Sequence, residues 1–152
     1  MSTMSKTDAN ISENKNNILI TLLASICSLG PLATDMYLPA LPQMTLDFAT
    51  TPSIIQLTLT SWLIGLAIGQ VIAGPLSDIY GRTRPLVFGL IIFTISSVAC
   101  IFAPSIELFI FARFIGGFAA SSALVVSRAI ASDIYKGTML TKFLATVMII
   151  QG

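Results

Sequence analysis

No histidine occurs in this chain of 152 residues, and cysteine occurs only twice, as Cys27 and Cys100. Without histidine or a cysteine cluster, a zinc or haem site would be hard to build. Both cysteines lie inside apolar runs, where a small packing residue is the ordinary reading and a disulfide or metal site the sharper one. A side chain that takes up and releases protons here would have to be a carboxylate. Charge is scarce too, at 10% of the chain against roughly 25% in ordinary globular domains. Eight basic and seven acidic side chains could not cover a soluble surface of this length. Disorder is excluded, because disordered chains are polar and poor in aromatics, whereas this one is 55% hydrophobic with a mean hydropathy of +0.88. A net charge of +1 and a pI near 7.8 carry no nucleic-acid signature. No nucleophile–base pair and no phosphate loop is present, so an enzyme is not expected. What remains is an integral membrane protein, all-α and polytopic, whose partner is the lipid bilayer.

A bilayer core of about 30 Å takes about 20 apolar helical residues. Residues 1–17 are rich in Ser, Asn and Lys and read as a flexible cytoplasmic tail. The first span is expected over 18–38, interrupted by Pro31 and Asp35, and the second over 54–76, with Thr51 as N-cap and Pro52 at the first helical position. A third follows over 86–103, ended by Pro104, and a fourth over 108–131, carrying Arg113 and Arg128. After the polar break Asp133–Gly137, a fifth apolar run begins near Phe143. Its ten residues to Gly152 make about 15 Å of helix, too short to cross, so a fragment or truncated product is expected. A secretory signal is the alternative for the first span, but Pro31 to Pro39 stands where a small-residue cleavage site would be needed. With the N-terminus inside, Lys6, Lys15, Arg82, Arg84, Arg128, Lys136 and Lys142 fall on the cytoplasmic side, and the outer loops hold Asp47 and Glu107 but no basic residue. That bias sets the orientation.

Thr21, Ser28 and Asp35 recur at seven-residue spacing with Ser25 on the same side, a polar stripe on one helical face. Either this stripe looks into the protein or a cavity, or its hydroxyls bond their own backbone. Gly65, Gly69 and Ala73 in the second span, and Gly116 to Ala123 in the fourth, supply small residues for close helix packing. Gln70, deep in the second span, either glues helices or touches a ligand. A charge at mid-membrane costs at least about 2.5–3.5 kcal/mol, which makes Asp35 and Arg113 informative. Asp35 lies about 25 Å up from the inner edge and Arg113 about 8 Å down from the outer edge, so both occupy one level. Opposite charges at one depth invite pairing. The alternative is a hydrated Asp35 and an Arg113 that snorkels outwards.

The stretch Gly74-Pro75-Leu76-Ser77-Asp78-Ile79-Tyr80-Gly81-Arg82-Thr83-Arg84-Pro85 resembles the signature loop of the major facilitator superfamily, G-x-L-x-D-R-x-G-R-R/K. Gly74, Leu76, Asp78, Gly81 and Arg82 match; Ile79 and Thr83 stand where the pattern has basic residues. Glycine permits a tight turn at the membrane surface, and Asp78 can accept hydrogen bonds from an arginine or a helix N-terminus. Thr34 to Pro42, Ile55 to Thr60, Gly69-Gln70, Ala112 to Gly117 and Arg128 to Tyr135 resemble the bicyclomycin/chloramphenicol-resistance (Bcr/CflA) branch of drug:proton antiporters.

The resemblance implies a twelve-helix fold of two six-helix bundles built from inverted three-helix repeats. Residues 18–152 would be the incomplete N-terminal bundle, four full helices and part of a fifth, whose missing partner is the C-terminal bundle. It further implies a bacterial inner-membrane exporter of small-molecule drugs, driven by the proton gradient and needing no cofactor. Asp35 would bind the proton, Arg113 would tune it, and Ser28 and Gln70 would face the substrate cavity. The truncated chain alone would be inactive. The competing classes are a small self-assembling four-helix exporter and a non-functional truncated membrane protein.

Overall fold

A computed structural model describes residues 2–151, with side chains from Asn17 to Ile150. Among these residues every regular element is helical. α1 spans Ser2–Asp35, a 3-10 turn covers Leu38–Ala40, α2 spans Leu41–Asp47, α3 Pro52–Tyr80, α4 Thr83–Ile101, α5 Ile106–Ile134 and α6 Thr138–Gln151. The polar segment read as a flexible tail is instead continuous with α1 from Ser2 onwards. It contains no glycine or proline to interrupt a helix; the side chains of residues 1–16 lie outside the described residues.

The element ends follow from local chemistry. α1 stops at Asp35, three residues before the expected boundary, because the Tyr37 amide reaches back only three residues to the Thr34 carbonyl, 3.1 Å away. Pro39 and Pro42 then lack the amide hydrogens a continuous helix needs, and each opens a short new turn instead. Thr51 has the extended backbone of an N-cap and Pro52 follows it, but the Thr51 hydroxyl makes no cap bond. α3 overruns its expected end by a turn and stops at Gly81, whose φ of +83° lies in the region that favours glycine. Ser105 caps α5, its hydroxyl accepting from the Leu108 amide at 3.4 Å, with Glu107 in the favourable first turn.

Four helices are long and apolar enough to cross a membrane, and α6 is shorter. α5 is the hub: half of its membrane window is buried, against a third or less in the others. Its Gly117 sits against the Trp62 backbone and Gly65 of α3 against the Phe114 backbone, so the two helices touch main chain to main chain. Gly69 meets Ser121, and Gly89 of α4 meets Ser122. The small residues of the second and fourth spans therefore act as packing surfaces, the use expected where burial of apolar area gives helices no preference for each other over lipid. On the other side of α5, Leu23, Ala24 and Cys27 of α1 pack with Ala131, Tyr135, Phe143 and Val147. Cys27 is a buried free thiol within this cluster and Cys100 a free thiol near the far end of α4. Val71, Ile79, Ile95 and Phe102 point outwards, a surface suited to lipid tails.

Candidate functional site

Two polar constellations stand out, one at each end of the helices. At the Gly81 end, the signature stretch is not a loop throughout. Gly74 to Tyr80 are the last turns of α3, Gly81 and Arg82 alone make the connection, and Thr83 to Pro85 open α4. Only Gly81 uses a conformation special to glycine; Gly74 is helical, with open space beside it. Arg82 organises this end. Its Nε donates to Asp133 Oδ2 at 3.0 Å, and its Nη1 donates to Ser77 Oγ at 2.8 Å and to Asp78 Oδ1. The guanidinium thus ties the α3–α4 turn to the end of α5. Its pKa is raised, first by the hydrogen bond to Asp133 and against a smaller desolvation, then by the charges of Asp133 and Asp78. Leu76 is exposed on α3 beside this cluster.

At the opposite end, Arg113 of α5 lies inside the helices. Its Cζ stands 3.7 Å over the centroid of the Tyr37 ring and 5.0 Å from that of Trp62. Tyr37 also stacks on Phe109 at 6.3 Å, and its hydroxyl hydrogen-bonds Thr58 Oγ1. A cation on aromatic faces gains about 0.5–2 kcal/mol, more as water is removed, which offsets part of the cost of its depth. These groups border a cavity of about 350 Å³, lined also by Met36, Met44, Ser96 and Cys100.

The expected pairing of Asp35 with Arg113 is not formed. The ion pairs among the described residues belong to Arg82, and Asp35, the last residue of α1, is exposed. Depth placed the two charges at one end correctly, but it carries no azimuth. Two residues after Asp35 the chain turns inwards, and Tyr37 takes the face of the guanidinium instead. Ser28 and Gln70 do not share a cavity either. Ser28 is fully buried on the packed side of α1 and donates to the Ala24 carbonyl at 2.9 Å. Thr21 and Ser25 likewise donate to carbonyls four residues back, so the stripe's hydroxyls bond their own helix. Gln70 is exposed; one residue past the buried Gly69, it is rotated off the α5 contact and joins no helix pair. Sequence reasoning missed Tyr37, Trp62 and Asp133. Asp133 had a legible signal, a carboxylate at the same membrane level as Arg82.

Residues 22–152 match the family described as Major Facilitator Superfamily. An uncharacterized MFS-type transporter, YdgK, of Bacillus subtilis is 46% identical over 87% of this chain and 33% of its own length. A chloramphenicol resistance protein of Pseudomonas aeruginosa is 40% identical over 78% of this chain and 28% of its own. A bicyclomycin resistance protein homolog of Haemophilus influenzae is 31% identical over 88% of this chain and 33% of its own. The chain spans about a third of the length of the curated relatives it matches.

Proposed function

This chain belongs to the Major Facilitator Superfamily, and from that premise we propose that it forms part of a proton-coupled exporter of small-molecule drugs. The observation that carries the reading is the similarity to two relatives named for resistance, to chloramphenicol and to bicyclomycin, along most of this chain. It is a multi-pass membrane protein of a transporter family rather than an enzyme, and we place it in the bacterial inner membrane with the N-terminus in the cytoplasm. The basic residues of the Arg82 end fit that orientation.

Within this reading Asp35 is the proton-binding carboxylate, since it is the acidic residue within the apolar run 18–38 of the first span and histidine is absent. Its exposure suits a group that must meet water, substrate and a second bundle in turn. Arg113 acts less as its counter-ion than as the anchor that fixes the end of α1 through Tyr37. Gln70 lies on the exposed face of α3, a surface open to substrate or to the further helices that the relatives' length implies. The Arg82 cluster sets how far the α3–α4 turn can move against α5. The relatives are about three times as long as this chain, and in this reading export by these 152 residues alone is not expected.

The test is drug susceptibility. A full-length version, expressed in a host lacking its own efflux pumps, should raise tolerance to chloramphenicol or bicyclomycin, and a protonophore should abolish the accumulation difference. Efflux that persists without a proton gradient would refute the coupling; unchanged tolerance to both drugs would refute the substrate class.

A further inference from the structure

α4 has two unlike faces. Gly89 and Ser96 look towards α5: a Cβ on Gly89 would meet Ser122, and the Ser96 hydroxyl donates to the Ala112 carbonyl at 2.5 Å. The other face carries Val87, Ile91 and Ile95, all exposed. With Leu90 and Thr94 they line a shallow groove of about 330 Å³. The Thr94 hydroxyl donates back to the Leu90 carbonyl at 2.9 Å, and the rest of the lining is aliphatic. No glycine, alanine or serine lines the groove. Helices that pair inside a membrane close on small residues, so this face suits a flexible hydrocarbon chain better than a further helix.

A cation stands at one end of the groove. Arg84 precedes Val87, Ile91 and Ile95 by three, seven and eleven residues, which puts all four on one side of the helix. Helical side chains tilt towards the N-terminus, so the Arg84 side chain leans away from the groove, towards the Gly81 end of the molecule. Arg84 is exposed. No ion pair or hydrogen bond joins it to a described residue, and the nearby carboxylates Asp78 and Asp133 are both engaged by Arg82. The lengths fit one leaflet. Val87 to Ile95 rise about 12 Å, close to half of a hydrocarbon core of about 30 Å. Arg84 lies about 4.5 Å further out, at the depth of lipid phosphates.

We propose that this face of α4 is a binding site for one anionic phospholipid, its phosphate on the Arg84 guanidinium and one acyl chain along Val87, Ile91 and Ile95. Charge complementarity selects the headgroup, because the cation at the groove's end lacks a counter-ion of its own. The aliphatic groove holds the chain. The site is separate from the Arg82 cluster and from the Arg113 cavity, and it does not depend on drug export or on proton coupling.

The test counts lipids on the full chain by native mass spectrometry. The chain in maltoside micelles is titrated with phosphatidylglycerol and, separately, with phosphatidylcholine of the same acyl chains. The first phosphatidylglycerol should bind about fivefold more tightly than phosphatidylcholine, the contribution of one basic residue at an anionic surface. Arg84→Gln should remove that preference and Arg84→Lys should keep it. Lys136→Gln removes an equally exposed charge at the same end and should leave the preference intact. Ile91→Trp fills the groove without touching the cation and should weaken phosphatidylglycerol severalfold. Arg84 and Ile91 are both exposed, and wild-type helicity by circular dichroism verifies that their variants fold. Equal binding of the two lipids by the wild type, a preference that survives Arg84→Gln, or one that Lys136→Gln removes as well would overturn the proposal. So would full phosphatidylglycerol affinity in Ile91→Trp, or displacement of the lipid by soluble glycerol phosphate at matched concentration, since the groove would then hold no chain.

Discussion

Replacing Gly117 by alanine adds one methyl group at the closest approach of α3 and α5. A Cβ there would lie 3.0 Å from the Trp62 carbonyl carbon and 3.1 Å from the Leu66 amide nitrogen, and nearer still to the Trp62 carbonyl oxygen. All three obstacles are backbone, so no side chain can swing aside. The helices must part by about 1 Å, and a gap of that size forfeits roughly a quarter to a half of each dispersion contact it opens. Gly65 and Gly69 lie along the same seam, so the loss is shared over several turns. Overpacking costs about 1–3 kcal/mol, and rigid obstacles put this site at about 3 kcal/mol. Alanine regains about 1 kcal/mol of helix propensity over glycine. The net expectation is a loss of about 2 kcal/mol, or roughly 30-fold in the unfolding equilibrium. Gly74→Ala is the control, because a Cβ there meets nothing within 4 Å; it should be neutral or stabilising by up to about 1 kcal/mol. Both are measured by titrating the chain in mixed micelles with dodecyl sulfate and following helicity by circular dichroism. A Gly117→Ala chain that unfolds with the wild type, or a Gly74→Ala chain that loses as much, would refute the packing argument.

Tyr37→Leu removes the ring beneath Arg113 and should cost about 1–2 kcal/mol in the same titration, whereas Tyr37→Phe removes only the hydroxyl bond to Thr58 and should cost less; equal losses would mean that the cation–ring contact contributes little. Asp133→Ala should lower efflux in a full-length version more than Asp78→Ala, because Asp133 links Arg82 to another helix while Asp78 lies one turn away on the adjoining one; membrane insertion should survive both, and the reverse order would dissolve the role given to the α5 link. Thr83→Cys should resist impermeant thiol reagents added outside intact cells and react once the membrane is opened, and strong labelling from outside would invert the proposed orientation.

Spans were legible in the sequence because membrane crossing is a matter of length and hydropathy, which a single chain displays. Their ends were less legible. Leu76 looked terminal on hydropathy, yet α3 continues through Ser77 and Asp78 until Gly81, where backbone conformation rather than polarity stops it. The packing role of Gly65 and Gly69 was readable from spacing alone. The surroundings of Arg113 were not, because depth follows from residue number while azimuth depends on how each helix is rotated in the assembled bundle. The same limit applies to Ser28 and Gln70: polarity marked both, but only the contact with α5 decides that one is sealed and the other exposed. Aromatic partners such as Tyr37 and Trp62 were hidden for a further reason, since inside apolar spans they look like any other hydrophobic residue.

The central claim, export driven by protons through Asp35, is tested most directly by proton release. Purified full-length protein in weakly buffered detergent solution receives saturating chloramphenicol, and the pH of the medium is followed with an indicator dye. If drug and proton compete through this carboxylate, the wild type releases protons on drug addition and Asp35→Asn releases none while still binding the drug. Equal release from Asp35→Asn and wild type would contradict the claim and move the proton site to another residue.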